Sequence, residues 1–385
     1  MSVDIHDVQD ILSELPERDE MDRVIEGILK ELDLEKHMLK TEEEESIVEE
    51  IVEAAMPEPV KELEEVDFGD YPGDPNKGLR LFSKLFWKPK YMPDHLVPVF
   101  TGYEHETPAD IYVPPKKEFE TFSFATTNGL KEIVVGPTGC GKTMMAEYYA
   151  AVTGRPFLRI DHNTELDKAE VFGQTHINVD DEGRQTTDFV LGVLPRSMDK
   201  PTLVVLDELT RAPTDAVIQY QRLLDRRQLA LPQVKGEATV ITPHADWILT
   251  ATDNTKGNGD GLDVYSASNV QDAAIINRFD GIIEADYLSL ADEKKLVSRM
   301  APTLPAKEVE NLCKFSQLMH KAFATREITV AFSPRNLSAV CKLITGGALA
   351  EHGLEPKLAL ELNFISRVPE AEMSDVRESL KSVYG

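Results

Sequence analysis

Val134-Val135-Gly136-Pro137-Thr138-Gly139-Cys140-Gly141-Lys142-Thr143 is the stretch that decides how this chain is read. From Gly136 onward it fits G-x-x-x-x-G-K-[ST], a loop that holds phosphates through its backbone N–H groups. Lys131-Glu132-Ile133-Val134-Val135 before it reads as a short buried strand, and Met144 to Ala151 after it as the start of a helix. The motif needs that context, because successive N–H groups and a helix N-terminus then converge on one point. Gly136, Gly139 and Gly141 permit the tight turn and the close approach of a ligand. Lys142 is expected to reach the β- and γ-phosphates and the Thr143 hydroxyl to ligate Mg²⁺. Pro137, Thr138 and Cys140 complete the loop. A chance match in a glycine-containing turn would lack the flanking strand and helix. The expectation is a nucleoside triphosphate site that takes ATP and Mg²⁺.

The chain has 385 residues, room for two or three domains. Hydrophobic residues at 42% and charged residues at 28% suit a soluble globular protein. No apolar run approaches the ~18 residues that a bilayer span needs, so no membrane association is expected. Met1-Ser2-Val3-Asp4 lacks the basic and apolar regions of a signal peptide. Cys140, Cys313 and Cys341 do not suggest a disulfide framework, which points to a reducing, cytoplasmic setting. Cys140 reads as a small tolerated side chain rather than a redox switch. The net charge of −27 argues against a nucleic-acid groove, which needs a local excess of Lys and Arg. The nine His residues show no paired ligand spacing for a metal of the protein's own.

Much of the negative charge is at the front, where residues 1–67 carry roughly two dozen acids against about six bases. Val8, Ile11, Leu12 and Leu15 nevertheless recur at helical spacing, as do Val24, Ile25, Ile28, Leu29 and Leu32, then Ile47, Val48, Ile51 and Val52. Residues 1–66 are therefore read as an acidic helical extension that docks a partner or folds as a small unit. Met56-Pro57-Glu58-Pro59 breaks the pattern. Residues 67–125, with several prolines and aromatics, read as a linker and lead-in. Within them Leu81 to Lys88 is expected to pack on the core, and Ile111-Tyr112-Val113-Pro114 to wall an adenine pocket.

From residue 131 strands and helices alternate, the signature of an α/β fold with a parallel sheet. Strands are expected at 133–135, 157–160, 203–206, 247–250 and 281–283. Leu203-Val204-Val205-Leu206-Asp207-Glu208 is an apolar run ending in two acids. Emerging beside the phosphate loop, Asp207 is expected to hold the Mg²⁺ shell and Glu208 to deprotonate the attacking water. A water-activating Glu marks a hydrolase rather than a kinase. Asn254, at the polar end of Trp247 to Thr255, is placed to touch the γ-phosphate and the water; ordinary turn chemistry is the competing account. Arg278 follows Ile275-Ile276-Asn277 just before the last strand, and Arg335 opens a helix in Phe332-Ser333-Pro334-Arg335-Asn336-Leu337. Either Arg alone reads as a surface ion-pair former; their order and spacing lift them to candidates for an arginine finger and a γ-phosphate sensor.

The ordered set GPTGCGKT, LDE, ATDN, NRFD and SPRN resembles the AAA+ ATPases, and within them the MoxR and dynein-related group. Within that group it is similar to CobS, the ATPase subunit type of aerobic cobaltochelatase. Asp207 to Pro213 resembles the D-E-x-x-R-A-P box, and Ala251 to Tyr265 resembles the CobS glycine-containing run. Residues 173–192 fit the helix-2 insert of the clade, a hairpin turning at Asp180-Asp181-Glu182-Gly183. The resemblance covers about residues 100–345. It implies a five-stranded αβα core over 126–287, a helical lid over 288–385, and a homo-oligomeric ring of six subunits. It also implies that Asn254 is sensor 1, Arg278 a finger acting across the subunit boundary and Arg335 sensor 2. Asn277-Arg278 departs from the Asp-Arg of relatives, and the acidic front has no counterpart.

By this resemblance ATP hydrolysis drives remodelling of a partner. The insert and a second hairpin, around Leu229 to Ile241 with Lys235-Gly236 as its turn, carry the motion. One reading places the chain with a metal-ion-adhesion-site protein and a chelatase subunit in cobalt insertion into a corrin ring. A second makes it a MoxR-like chaperone of another complex, docked through the acidic front. A third, a nucleic-acid-linked motor, runs against the acidity. Deleting residues 1–60 is expected to abolish capture of the partner complex in a pull-down; unchanged capture would remove the docking role.

Overall fold

The computed structural model describes residues 74, 76–104, 112–162, 168–179, 185–234, 237–254, 272–346 and 353–385. All of them belong to one compact unit, Glu65–Gly385. The acidic front helices, the glycine-containing run over 255–265, Ile111 and the turns of both expected hairpins lie outside the described residues.

Strand β1 (Lys77–Leu81) pairs antiparallel with β2 (Leu96–Phe100), with the one-turn helix α1 (Phe82–Leu85) between them. Helix α2 (Lys116–Thr127) then leads into β3 (Glu132–Val135), the phosphate loop and α3 (Lys142–Thr153). Next come β4 (Phe157–Asp161), α4 (Lys168–Phe172), the hairpin strands β5 (Gly173–Val179) and β6 (Gln185–Leu191), and α5 (Val193–Ser197). Strand β7 (Leu203–Asp207) is followed by α6 (Thr214–Arg226) and a second hairpin, β8 (Leu229–Val234) and β9 (Glu237–Ile241). Strand β10 (Ile248–Asp253), α7 (Asp272–Ile276) and β11 (Gly281–Glu284) complete the core. The lid is helical: α8 (Leu290–Met300), α9 (Ala306–Ala324), α10 (Pro334–Thr345), α11 (Pro356–Asn363) and α12 (Glu370–Tyr384).

The central sheet is parallel throughout, in the order β11-β3-β10-β7-β4. Its middle strands are largely apolar and buried because both faces are covered, which is what a parallel sheet requires. Side chains alternate across it. Ile133, Val135, Val204, Leu206, Leu249 and Ala251 face a core that includes Val217, Tyr220 and Leu224 of α6. Val134, Leu203, Val205 and Ile283 face the other way, onto Met145, Ala146 and Tyr149 of α3 and Phe119 and Phe122 of α2. The result is the expected αβα layering. The strand expected at 247–250 runs over Ile248–Asp253 instead. Pairing with β3 continues through Thr252 and Asp253, whose polar side chains are buried on hydrogen bonds rather than excluded.

Residues of the lead-in pack on that second face rather than bridging domains. Phe82 is buried, and Phe86 meets Phe119 edge-on at 4.8 Å and Tyr149 at 6.4 Å. Trp87 Nε1–H donates to the buried carboxylate of Glu120 (2.7 Å). The lid has its own apolar centre around Phe315, Phe332, Leu337, Val340 and Phe364. Val113 joins the lead-in to the lid through Leu288, Leu296 and Met300.

Glu132, at the start of β3, is buried with Thr126 Oγ1–H donating to one of its carboxylate oxygens. Burial pushes its carboxyl up to about 8, so the folded chain holds the proton more tightly than the unfolded one. Stability from this group is complete below the ordinary value of 4.5 and drains away as pH rises towards 8. Glu293 in α8, raised to about 7 chiefly by burial, adds to the same trend. His320, held down at about 4 by burial, works in the opposite sense, so the test is the difference between proteins. Relative to wild type, Glu132→Gln should gain melting temperature steadily from pH 5 to pH 8, as read by calorimetry across the range.

Candidate functional site

The phosphate loop leaves β3 at Val135 and enters α3 at Lys142. Two of its glycines are dictated by close approach. A Cβ at Gly136 would lie 2.1 Å from the Ala285 carbonyl, and one at Gly139, where φ is +79°, would lie 2.5 Å from Ser333 Cβ. Cys140 is buried, and burial raises its thiol pKa, so it is not primed for thiolate chemistry.

Lys142 turns back into the loop it ends. Its Nζ donates to the carbonyls of Gly136 (2.8 Å) and Pro137 (3.0 Å) and to Oδ1 of Asn254 (3.0 Å). Burial lowers its pKa, and the negative groups around it, Asp207, Asp253 and Glu208 among them, oppose that loss of charge. The sequence-predicted Lys142 and Asn254 therefore stand together although 112 positions separate them, because β10 lies beside β3.

Asp207 ends β7 next door. Thr143 Oγ1–H donates to its Oδ1 (2.8 Å), Thr252 donates to the same oxygen, and Arg159 pairs with Oδ2 at 2.6 Å. Burial pushes the Asp207 carboxyl up, and the bonds from Thr252 and Thr143 with the charge of Arg159 more than reverse it, leaving it below the usual range. Asp207 and Thr143 thus present an ionised carboxylate and a hydroxyl within one bond length of each other. These are hard oxygen donors suited to Mg²⁺, which takes few protein ligands and keeps phosphate and water for the rest. No cluster of three or more His, Cys, Asp or Glu ligands occurs among the described residues.

Glu208 takes a left-handed conformation (φ 52°) as the chain turns out of β7. Its carboxylate pairs with Arg211 three residues on, and both are well exposed. The turn is tied to β10 by buried Asp253, which accepts from the N–H and hydroxyl of Thr210 (both 3.0 Å). Behind β7, His162 lies 2.8 Å from the Asp207 carbonyl through Nδ1 and 3.0 Å from the Tyr220 hydroxyl through Nε2.

The two arginines are placed differently. Arg278, just beyond α7, pairs through Nε with Asp225 of α6 (3.1 Å) and donates to the Ala274 carbonyl, so within one chain it is not joined to the phosphate loop. Arg335 is exposed in the first turn of α10, whose N-terminal Ser333 is the residue packed on Gly139. Tyr112 lies against Gly141, and its carbonyl accepts from Arg299 of α8 (2.6 Å), so it stands between loop and lid. A cleft of about 820 Å³ opens beside Gly136, Pro137 and Asn254 beneath Tyr287, His320 and Phe323.

Arg159, Thr252, Asp253 and Tyr287 were not singled out by sequence. Thr252 and Asp253 adjoin Asn254 in the same strand end, a signal within reach. Arg159 and Tyr287 sit in no motif; only the strand order brings Arg159 to Asp207.

Residues 132–279 match the AAA domain (dynein-related subfamily) family model. Over 148 residues the chain is 38% identical to Midasin of Dictyostelium discoideum, a match that covers 38% of this chain and 2% of Midasin. Over 289 residues it is 26% identical to the aerobic cobaltochelatase subunit CobS of Sinorhizobium sp, covering 72% of this chain and 84% of CobS. Among solved structures, the Thermotoga maritima RuvB Holliday junction branch migration motor aligns at 14% identity with a TM-score of 0.41, covering 67% of this chain and 71% of that chain.

Arg159 pairs with Oδ2 of Asp207, a contact that competes with a cation for the carboxylate. Arg159→Gln should lower the Mg²⁺ concentration that half-saturates nucleotide binding by about threefold, as measured by titrating a fluorescent nucleotide at fixed protein.

Proposed function

We propose that this chain, whose residues 132–279 are an AAA domain of the dynein-related subfamily, is a Mg²⁺-dependent ATPase that works as a ring and remodels a partner complex. The observation that carries the reading is the meeting of Lys142, Thr143, Asp207 and Asn254 at the carboxyl ends of three adjacent strands, with Glu208 next in the chain. Ligands of open parallel sheets bind at that edge.

A triphosphate laid on the loop draws the Lys142 ammonium from the Gly136 and Pro137 carbonyls onto the β- and γ-phosphates. Thr143 and Asp207 would hold a Mg²⁺ ion, which would supply positive charge to the triphosphate. Glu208 leaves Arg211 and accepts the proton of the attacking water, while the Asn254 amide orients that water. Arg278 exchanges Asp225 for the γ-phosphate of the neighbouring subunit, so turnover belongs to the assembled ring, six-membered by family resemblance. Arg335, on the lid side of the loop, senses the γ-phosphate bound there. The hairpins β5–β6 and β8–β9 carry lid and core motion to the client.

The CobS match along most of both chains supports an engine of the cobaltochelatase type, with a metal-ion-adhesion-site protein and a chelatase subunit as partners and cobalt as cargo. The higher identity to Midasin within the AAA segment supports a second reading, remodelling of a different protein complex by the same engine. A nucleic-acid partner is disfavoured by the net charge of −27. No described helix is long and apolar enough to cross a membrane.

Glu208→Gln should bind nucleotide within about threefold of wild type and lose at least about 100-fold in steady-state turnover, the scale of a general base. Undiminished phosphate release by the variant would contradict the role given to Glu208.

A further inference from the structure

The phosphate loop touches the lid side of the molecule at three points. Gly136 makes room for the Ala285 carbonyl, Gly139 makes room for Ser333, and the Thr138 carbonyl accepts a hydrogen bond from the Tyr287 hydroxyl (3.2 Å). Ala285 and Tyr287 lie in the connection between β11 and α8, through which the chain passes from core to lid. Ala285 is tied down, its N–H donating to Val135 at the end of β3 (2.7 Å).

The ring of Tyr287 lies flat on the imidazole of His320 in α9, with centroids 3.8 Å apart and planes 5° apart. His320 is fixed in turn. Its Nε2 lies 2.7 Å from the carbonyl of Phe332, the residue before Ser333. Burial holds its pKa down at about 4, so the ring is neutral at ordinary pH and Nε2–H is the donor of that bond. One aromatic pair therefore joins a phosphate-loop carbonyl, the longest lid helix and the start of α10. A lid movement that carries α9 carries the phenol with it. The bond to Thr138 is directional, so even a small displacement weakens it.

We propose that Tyr287 is a positioning residue that couples the angle of the lid to the conformation of the phosphate loop, through its stack on His320 and its bond to Thr138. The proposal rests on the ATPase reading above. It assigns to a side chain outside the nucleotide motifs the task of turning loop occupancy into lid movement.

The test uses the full-length chain with three readouts: steady-state turnover, affinity for a fluorescent ADP, and ADP-induced change in hydrogen exchange of residues 306–324. Tyr287→Ala should lower kcat about tenfold, keep ADP affinity within about threefold, and abolish the exchange response of α9. Tyr287→Phe keeps the stack on His320 but loses the bond to Thr138, so it should lower kcat by about threefold to fivefold and weaken, without abolishing, the exchange response of α9. Should Tyr287→Ala not fold, Tyr287→Leu, which keeps apolar bulk without the stack, carries the same expectation. Turnover within twofold of wild type in the Ala or Leu variant, or an unchanged exchange response, would overturn the coupling role. A wild type without turnover, or a Glu208→Gln protein as active as wild type, would instead overturn the ATPase reading; the ADP exchange arm would still decide the coupling.

Discussion

A buried ammonium is the constraint around which this molecule is built. Lys142 is largely shielded from water, and a cation in that position is tolerable only when dipoles and negative charge surround it. The sheet supplies them. Strands β3, β7 and β10 end side by side, so the loop carbonyls, Asp207, Asp253 and Asn254 arrive around one nitrogen from three separate stretches of sequence. Apolar side chains on both faces of the sheet fix those strand ends with the rigidity of a packed interior. Charge at the edge and hydrocarbon in the middle are two halves of one design, since neither the cluster nor the phosphates it suits would be held in place by a looser scaffold.

Around that fixed centre, the groups assigned to chemistry are held in exchangeable pairs. Glu208 with Arg211 and Arg278 with Asp225 are ion pairs at the surface, and such pairs contribute about 0–1 kcal/mol. Trading either partner for a phosphate or a water therefore costs little. Asp207 is different: largely buried, it is held by two hydroxyls and a guanidinium, so its carboxylate is set before any ligand arrives. A site with one immobile carboxylate and several mobile partners suits the proposed division of labour, binding within one subunit and turnover completed by a neighbour. The lid contacts at Gly136, Thr138 and Gly139 then tie the state of that site to the attitude of five helices.

Much of this was legible in the sequence because its signals are local. Each central strand contains a short apolar run, several of them ended by a polar residue, and the five runs were readable to within a few positions. Both hairpins were expected from the family resemblance, and β5 pairs with β6 and β8 with β9. Lys142, Thr143, Asp207 and Asn254 were readable because motif spacing and strand order coincide. Residues 77–127 were less so. Their organising contacts, Phe86 on Tyr149 and Trp87 on Glu120, join residues dozens of positions apart and leave no periodicity. Arg159 and Tyr287 escaped for the same reason, each defined by a partner on another element. The side chain of Arg278 pairs with Asp225 of its own chain, a cis contact no pattern in the sequence announces.

The central claim is that ATP turnover needs a cation from the next subunit, and mixing two inactive variants tests it most directly. Arg278→Ala keeps its own phosphate loop but offers no finger, and Lys142→Ala offers a finger but has no working loop. The account predicts that each alone is nearly silent and that mixing them restores a substantial part of the turnover, rising with the proportion of hybrid interfaces. Full activity of Arg278→Ala by itself, or a mixture as silent as its components, would contradict it.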